Sequence, residues 1–333
     1  MSRRISVTFF QRFPGRSCYS LERVFEAIRD ALPPDINWRV SIARHHGASP
    51  CSIFLNTAEA MARQGDVNHI TGDILYVALG LSGPRTLLTI PDCRSMVRLS
   101  GLRRTVFKAL WLSLPVKHCA RVVAISEFTR REICALLRLS PSRVSVVPVP
   151  VLQEFQYLPQ DFRTAYPRIL QIGTGQNKNL HRVAAALEGV SCELAVVGKL
   201  DANDIAILNR YNVRFSNVCD VPDQEMPGLY AKADLVVFAS VYEGFGLPII
   251  EAQATGRAVV TSRIGPMPEV AGGGACMVDP FDIRSIRNGI LQVIQERQVR
   301  EELVVKGLQN VRRFRPEVIA EQYAELYREL ARQ

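Results

Sequence analysis

Short apolar runs alternate with stretches of helical period along the chain. Residues 5–10, 38–43, 85–90, 121–125 and 144–148 predict strands in the first half. In the second half, 168–172, 193–197, 213–215, 236–239 and 258–262 do the same. Between them lie helical patterns: 20–32, closed by Pro33-Pro34, a segment opened by Ser126, 226–233, a segment opened by Pro248, and 316–330. Phe13-Pro14-Gly15-Arg16-Ser17, Gly47 to Pro50 and Val218 to Pro222 predict loops. Regular alternation of this kind predicts two doubly wound α/β domains. The boundary falls in a linker over 151–167, giving domains at 1–155 and 156–313 and a terminal amphipathic helix within 314–333, with Val318, Ile319, Tyr323, Leu326 and Leu330 on its apolar positions.

Composition leaves that picture intact. The chain has 333 residues, 47% hydrophobic and 22% charged, as expected of a globular protein of two domains. Eight cysteines are scattered without a C-x-x-C pair, so neither a zinc site nor a disulfide framework is indicated. They read as reduced thiols of a cytoplasmic protein. Met1-Ser2-Arg3-Arg4 runs directly into a strand pattern and lacks the apolar core of a signal peptide. No apolar run approaches the roughly 18 residues of a membrane span.

Charge changes the picture in one place. The net charge is +9, and much of it lies between Arg94 and Arg143, against Glu127 and Glu132 alone. Over 96–116 the residues Leu99, Leu102, Val106, Leu110 and Leu114 recur at helical spacing among Arg98, Arg103, Arg104 and Lys108. One reading is a core-facing helix with a solvated basic face. The other is an amphipathic helix on an anionic membrane surface through 94–121, with Phe107 and Trp111 entering the interface. No nucleic-acid motif accompanies the charge.

The candidate chemistry centres on Val236 to Ala252. An apolar, valine-rich strand breaks at Glu243-Gly244-Phe245-Gly246, where two glycines permit backbone angles that other residues avoid. Pro248 suits the first turn of a helix, which Ile249, Ile250 and Glu251 continue. A helix start after a glycine turn offers unpaired N–H groups and a positive dipole end to an anion. Glu243 and Glu251 bracket it. Carboxylates would repel a phosphate, so they are expected to accept from hydroxyls. Phosphate donors plus hydroxyl acceptors suit a nucleotide sugar.

A second glycine loop, Gly173-Thr174-Gly175-Gln176-Asn177-Lys178-Asn179-Leu180, follows the strand at 168–172 and permits close backbone approach to phosphate. A dinucleotide site would need a third glycine where Lys178 sits, so a nicotinamide enzyme fits poorly. Lys178 offers instead a point charge for a diphosphate.

The string Glu243-Gly244-Phe245-Gly246-Leu247-Pro248-Ile249-Ile250-Glu251-Ala252 resembles the signature of the retaining glycosyltransferases of family 4, the bacterial glycosyltransferase group 1 with the GT-B fold. That resemblance implies two Rossmann-like domains facing across a cleft, with the terminal helix returning to the first. It implies that Glu243 contacts the donor sugar and Glu251 the ribose, while the N–H groups around Gly244, Phe245, Gly246 and Leu247 approach sugar and phosphate. Gly173, Thr174, Gly175 and Lys178 resemble the phosphate loop, Lys178 contacting the pyrophosphate. Thr174 stands where many members have arginine. His69-Ile70-Thr71-Gly72-Asp73 is similar to a string at the cleft face of some bacterial members, which would make His69 catalytic beside Glu243 and Lys178; a lone histidine more often braces structure. At the end of the strand 85–90, Asp92 is kept and Pro91 replaces the family's histidine.

The resemblance therefore implies transfer of a hexose from a UDP- or GDP-sugar to a glycan or lipid-linked acceptor, with no cofactor and no metal, as in cell-surface polysaccharide synthesis. The protein would be cytoplasmic or peripheral on the inner face of the membrane. Pro91 and Thr174 motivate an alternative, a GT-B protein that binds sugar nucleotide as a scaffold with weakened catalysis.

Overall fold

The computed structural model describes residues 4–13, 20–45, 49–93, 101, 105 and 107–332. Contacts divide the chain into two compact units: Met1–Pro150 together with Pro316–Gln333, and Val151–Arg315.

The first unit is built on β1 (Ile5–Gln11), β2 (Ile36–Ile42), β3 (Val67–Ile70), β4 (Thr86–Ile90), β5 (Arg121–Ala124) and β6 (Val144–Val146). They form one parallel sheet in the order β2-β1-β3-β4-β5-β6. Helices α1 (Ser20–Asp30), α2 (Pro50–Met61), α3 (Leu114–His118) and α4 (Glu127–Leu137) alternate with the strands. The side chain of Ser126 caps α4 by accepting from Thr129 N–H. The final helix of this unit comes from the far end of the chain, Pro316–Ala331. Its Arg328 holds Asp35 through two bonds of 2.8 and 3.0 Å.

The second unit repeats the plan with β7 (Arg168–Ile172), β8 (Glu193–Val197), β9 (Phe215–Val218), β10 (Leu235–Phe238), β11 (Ala258–Ser262) and β12 (Cys276–Val278). Its parallel sheet runs β12-β11-β10-β7-β8-β9. The helices are α5 (Leu180–Ala186), α6 (Ala202–Arg210), α7 (Met226–Lys232), α8 (Leu247–Ala254), α9 (Met267–Ala271), α10 (Ile283–Gln295) and α11 (Arg297–Asn310). The Pro316–Ala331 helix of the first unit is α12. Every residue of β10 is buried, which is why Leu235–Phe238 reads as a continuous apolar run rather than an alternating one.

Two sequence expectations are corrected here. The strand expected at 213–215 is displaced: β9 begins at Phe215 and runs to Val218, where a loop was expected; pairing with β8 holds the more polar residues Ser216 and Asn217 in the sheet. The stretch 94–121 lies partly outside the described residues. Within it, Trp111 does not serve as an interfacial anchor. It is 8% exposed, stacks on Phe107 at 4.8 Å, meets the edge of Tyr76 at 5.0 Å and donates from Nε1 to the Asp73 carbonyl. Leu114 is left exposed. No helix among the described residues is long and apolar enough to cross a membrane.

Candidate active site

In the second unit the strand order reverses between β7 and β10, the point at which open α/β sheets present a crevice beyond their carboxyl ends. The loop after β7 (173–179) and the loop after β10 (239–246) therefore emerge side by side. Gly173 takes φ +88°, and the Lys178 stem lies against it: an added Cβ would stand 2.9 Å from Lys178 Cε. Any larger residue would displace the lysine.

The two loops are bonded to each other at several points. Val241 N–H donates to the Asn177 carbonyl at 2.8 Å. Asn177 Nδ2 donates to the Tyr242 carbonyl and to Glu243 Oε1, at 3.0 and 3.1 Å. Lys178 Nζ reaches the same Glu243 oxygen at 2.8 Å and lies 4.7 Å from the Phe238 ring centroid. Cation, carboxylate and aromatic face thus meet in one place, with both charged side chains largely covered.

Asn179 anchors the loop from below. It is fully buried and left-handed, at φ 62°, a conformation asparagine tolerates better than most residues. Its Nδ2 donates to the carbonyls of Ala239 and Pro280, at 3.0 and 2.7 Å, tying the ends of β7, β10 and β12 together. Asn177 and Asn179 were not singled out from sequence. An Asn-x-Asn between a glycine turn and a helix was the available signal.

Gly246, at φ +114°, opens α8, and no side chain caps that start. In its first turn Pro248 brings no N–H, and Ile249 N–H donates to the Gly246 carbonyl at 3.0 Å. Phe245 is not a surface group: it is 5% exposed and packs edge-on against Phe314 at 5.6 Å, fixing the turn between the two glycines. Glu251 sits one turn into α8, where its Oε2 accepts from the buried Tyr230 hydroxyl at 2.5 Å. Burial, and then the neighbouring Glu251, push the Tyr230 phenol well above its ordinary value, so it stays a donor. The structure thus brings Lys178 and Glu243 into direct contact and gives Glu251 a separate support on α7.

In the first unit the order reverses between β1 and β3. A cavity at the carboxyl ends of β1, β3 and β4 is lined by Arg12, Asp73, Ile90, Asp92, Phe107 and Trp111, among others. Burial raises the Asp73 carboxyl; Arg12 opposes this and Asp92 adds to it. Two acids beside stacked aromatic rings form a wall suited to a sugar ring, hydroxyls to the acids and C–H faces to the rings. Asp92 lines this cavity, and Pro91 uses its carbonyl to accept from Thr129 Oγ1.

His69 is elsewhere, and its exposure is a correction. It lies inside β3, flanked by Phe9 of β1 and Leu87 of β4, and is 0% exposed. Its Nδ1 meets Tyr327 Oη at 2.7 Å and its Nε2 meets Thr89 Oγ1 at 2.7 Å. The rings of Phe9, Phe25 and Tyr323 surround it at 5.1 to 5.3 Å. Desolvation pushes its pKa well below the usual value, with Arg29 adding to the effect. A neutral imidazole with both nitrogens engaged and no solvent contact is a brace between β3 and α12. It has no path to a substrate.

The fold is GT-B: the crystal structure of Anabaena Alr3699/HepE in complex with UDP and glucose superposes with a TM-score of 0.79, covering 98% of this chain and 100% of that one at 17% identity. Residues 166–296 match the family described as Glycosyl transferases group 1. Among curated relatives, the O-antigen chain mannosyltransferase B of Escherichia coli is 30% identical over 69% of this chain and 64% of its own length. The O-antigen chain mannosyltransferase RfbU of Salmonella typhimurium is 25% identical over 62% of this chain and 60% of its own. The match therefore spans somewhat under two thirds of either relative.

Proposed function

We propose that this protein is a retaining glycosyltransferase that moves a hexose from a nucleotide-diphospho sugar to a glycan acceptor in cell-surface polysaccharide synthesis. Mannose is the sugar favoured by the names of its relatives. The observation that carries the reading is the meeting of Lys178, Glu243 and the uncapped start of α8 at the β7–β10 reversal. In the proposed reaction the anomeric C–O bond to the diphosphate breaks and its electron pair stays on the leaving phosphate. The acceptor hydroxyl oxygen bonds to the anomeric carbon, and its proton passes to the leaving phosphate. Lys178 and the α8 N–H groups hold the developing negative charge, Glu243 accepts from the sugar hydroxyls and Glu251 from the ribose. The first unit's cavity, with Asp73 and Asp92, takes the acceptor.

Incubation of the purified protein with GDP-mannose, UDP-glucose and a panel of other UDP- and GDP-sugars, with product anomers read by NMR, tests this. Transfer or slow donor hydrolysis with retained configuration is expected. Binding without any turnover would favour the scaffold reading that Pro91 and Thr174 motivate. Association with an anionic membrane belongs to the same proposal; its support is exposed Leu114 beside Lys117, and failure to float with anionic vesicles at low salt would remove it.

A further inference from the structure

The loop after β8 is locked against the phosphate loop. Thr174 Oγ1 donates to the Lys199 carbonyl at 2.7 Å. Gly198, at φ +126°, lies so close that an added Cβ would stand 3.2 Å from Thr174 Cγ2. Asn217 Nδ2 donates to the carbonyls of Val196 and Gly198, at 3.0 and 2.7 Å, and Gly198 N–H donates to Val218. Lys199 is thus fixed through its backbone beside Thr174, the residue after the glycine on which Lys178 rests. The two lysines flank the Gly173-Thr174 turn.

Charge accounting at this sheet edge singles out Lys199. Lys178 is offset by Glu243 at 2.8 Å, and Arg263 by Asp279 at 2.6 Å. Arg182 is held on Asn179 Oδ1 and lies over the Phe281 ring. Asp201 and Asp204, the acids nearest Lys199 in sequence, cap α6 reciprocally. Lys199 is exposed, and no ion pair holds its ammonium among the described residues. A nucleoside diphosphate brings more than one negative charge, and a lysine already shared with a glutamate offsets less than one of them.

We propose that Lys199 is a second phosphate-binding cation of this site, its flexible stem reaching over Thr174 to the diphosphate. This rests on the sugar-nucleotide reading given above.

Calorimetric titration of UDP and GDP, with UMP and GMP as controls, tests it on wild type, Lys199→Gln, Thr174→Arg/Lys199→Gln and Lys178→Ala. Lys199→Gln is expected to weaken diphosphate binding about ten-fold, as for one charge-assisted contact, and monophosphate binding much less. Arginine at 174 is expected to restore most of the loss by returning a cation to the same turn. Wild-type affinity in Lys199→Gln, or no recovery in the double variant, would overturn the proposal. If Lys178→Ala alone lost binding, the sugar-nucleotide reading would stand without Lys199. If wild type bound neither diphosphate, both would fall.

Discussion

Lys178 Nζ and Glu243 Oε1 lie 2.8 Å apart across two loops that are 65 residues distant in the chain. Each neutralises the other; in the reaction proposed above, a diphosphate would compete with the glutamate for the ammonium, and sugar hydroxyls with the lysine for the carboxylate. Lys178→Ala is expected to abolish measurable donor binding. Glu243→Ala is expected to lower turnover by about 100-fold or more, the scale of removing one preorganised charge contact. Titration and steady-state rates check both; donor affinity and rate equal to wild type in the two variants would contradict the assignment.

Asn179 tests whether the loops need their shared anchor. Asn179→Ala leaves the Ala239 and Pro280 carbonyls without this donor and forces alanine into a left-handed backbone. A loss of about 2–4 kcal/mol in unfolding free energy is expected. Asn179→Gly should recover about 1 kcal/mol of it, the conformational part. Chemical denaturation of the three proteins measures this, and equal stability of the alanine and glycine variants would show that the left-handed backbone matters little.

Tyr230 and Glu251 give a kinetic prediction. Tyr230→Phe keeps the packing and removes the hydroxyl that holds Glu251. If Glu251 positions the ribose, donor KM should rise by about ten-fold with kcat nearly unchanged. A fall in kcat at constant KM would place Glu251 at the reacting carbon instead.

His69 makes stability depend on pH. Its folded pKa is depressed by burial, so below about pH 6.5 the unfolded chain binds a proton that the folded chain does not. Stability should therefore fall as pH drops through that range, with a slope approaching about 1.4 kcal/mol per pH unit from this group, and be flat for it above pH 7. His69→Gln should lose that part of the slope. Unfolding curves at pH 5 to 8 for both proteins decide it, and identical slopes would remove His69 as the cause.

Much of the second unit was legible because its signals are local. The strands at 168–172, 193–197 and 258–262 have the predicted bounds, since each is a β-branched or aliphatic run closed by glycine or a polar turn. The turn at Gly244 to Pro248 was readable for the same reason: two glycines and a helix-opening proline constrain the backbone wherever they occur. Helices α2, α6 and α11 went unpredicted. Phe54, Met61, Ile205 and Val305 remain exposed on them, which blurs the apolar stripe that periodicity relies on.

The sequence by itself determined two alternating α/β units, the glycine loops, and a lysine and two glutamates at their edges. It could do so because backbone freedom and residue chemistry are properties of a few neighbouring positions. Only the tertiary structure decided which side chains are reachable. His69 became a brace because Tyr327, 258 residues later, closes over it; Trp111 turned inward onto Tyr76; Lys178 met Glu243. Exposure and pairing depend on what packs from elsewhere in the chain, and no local pattern carries that information.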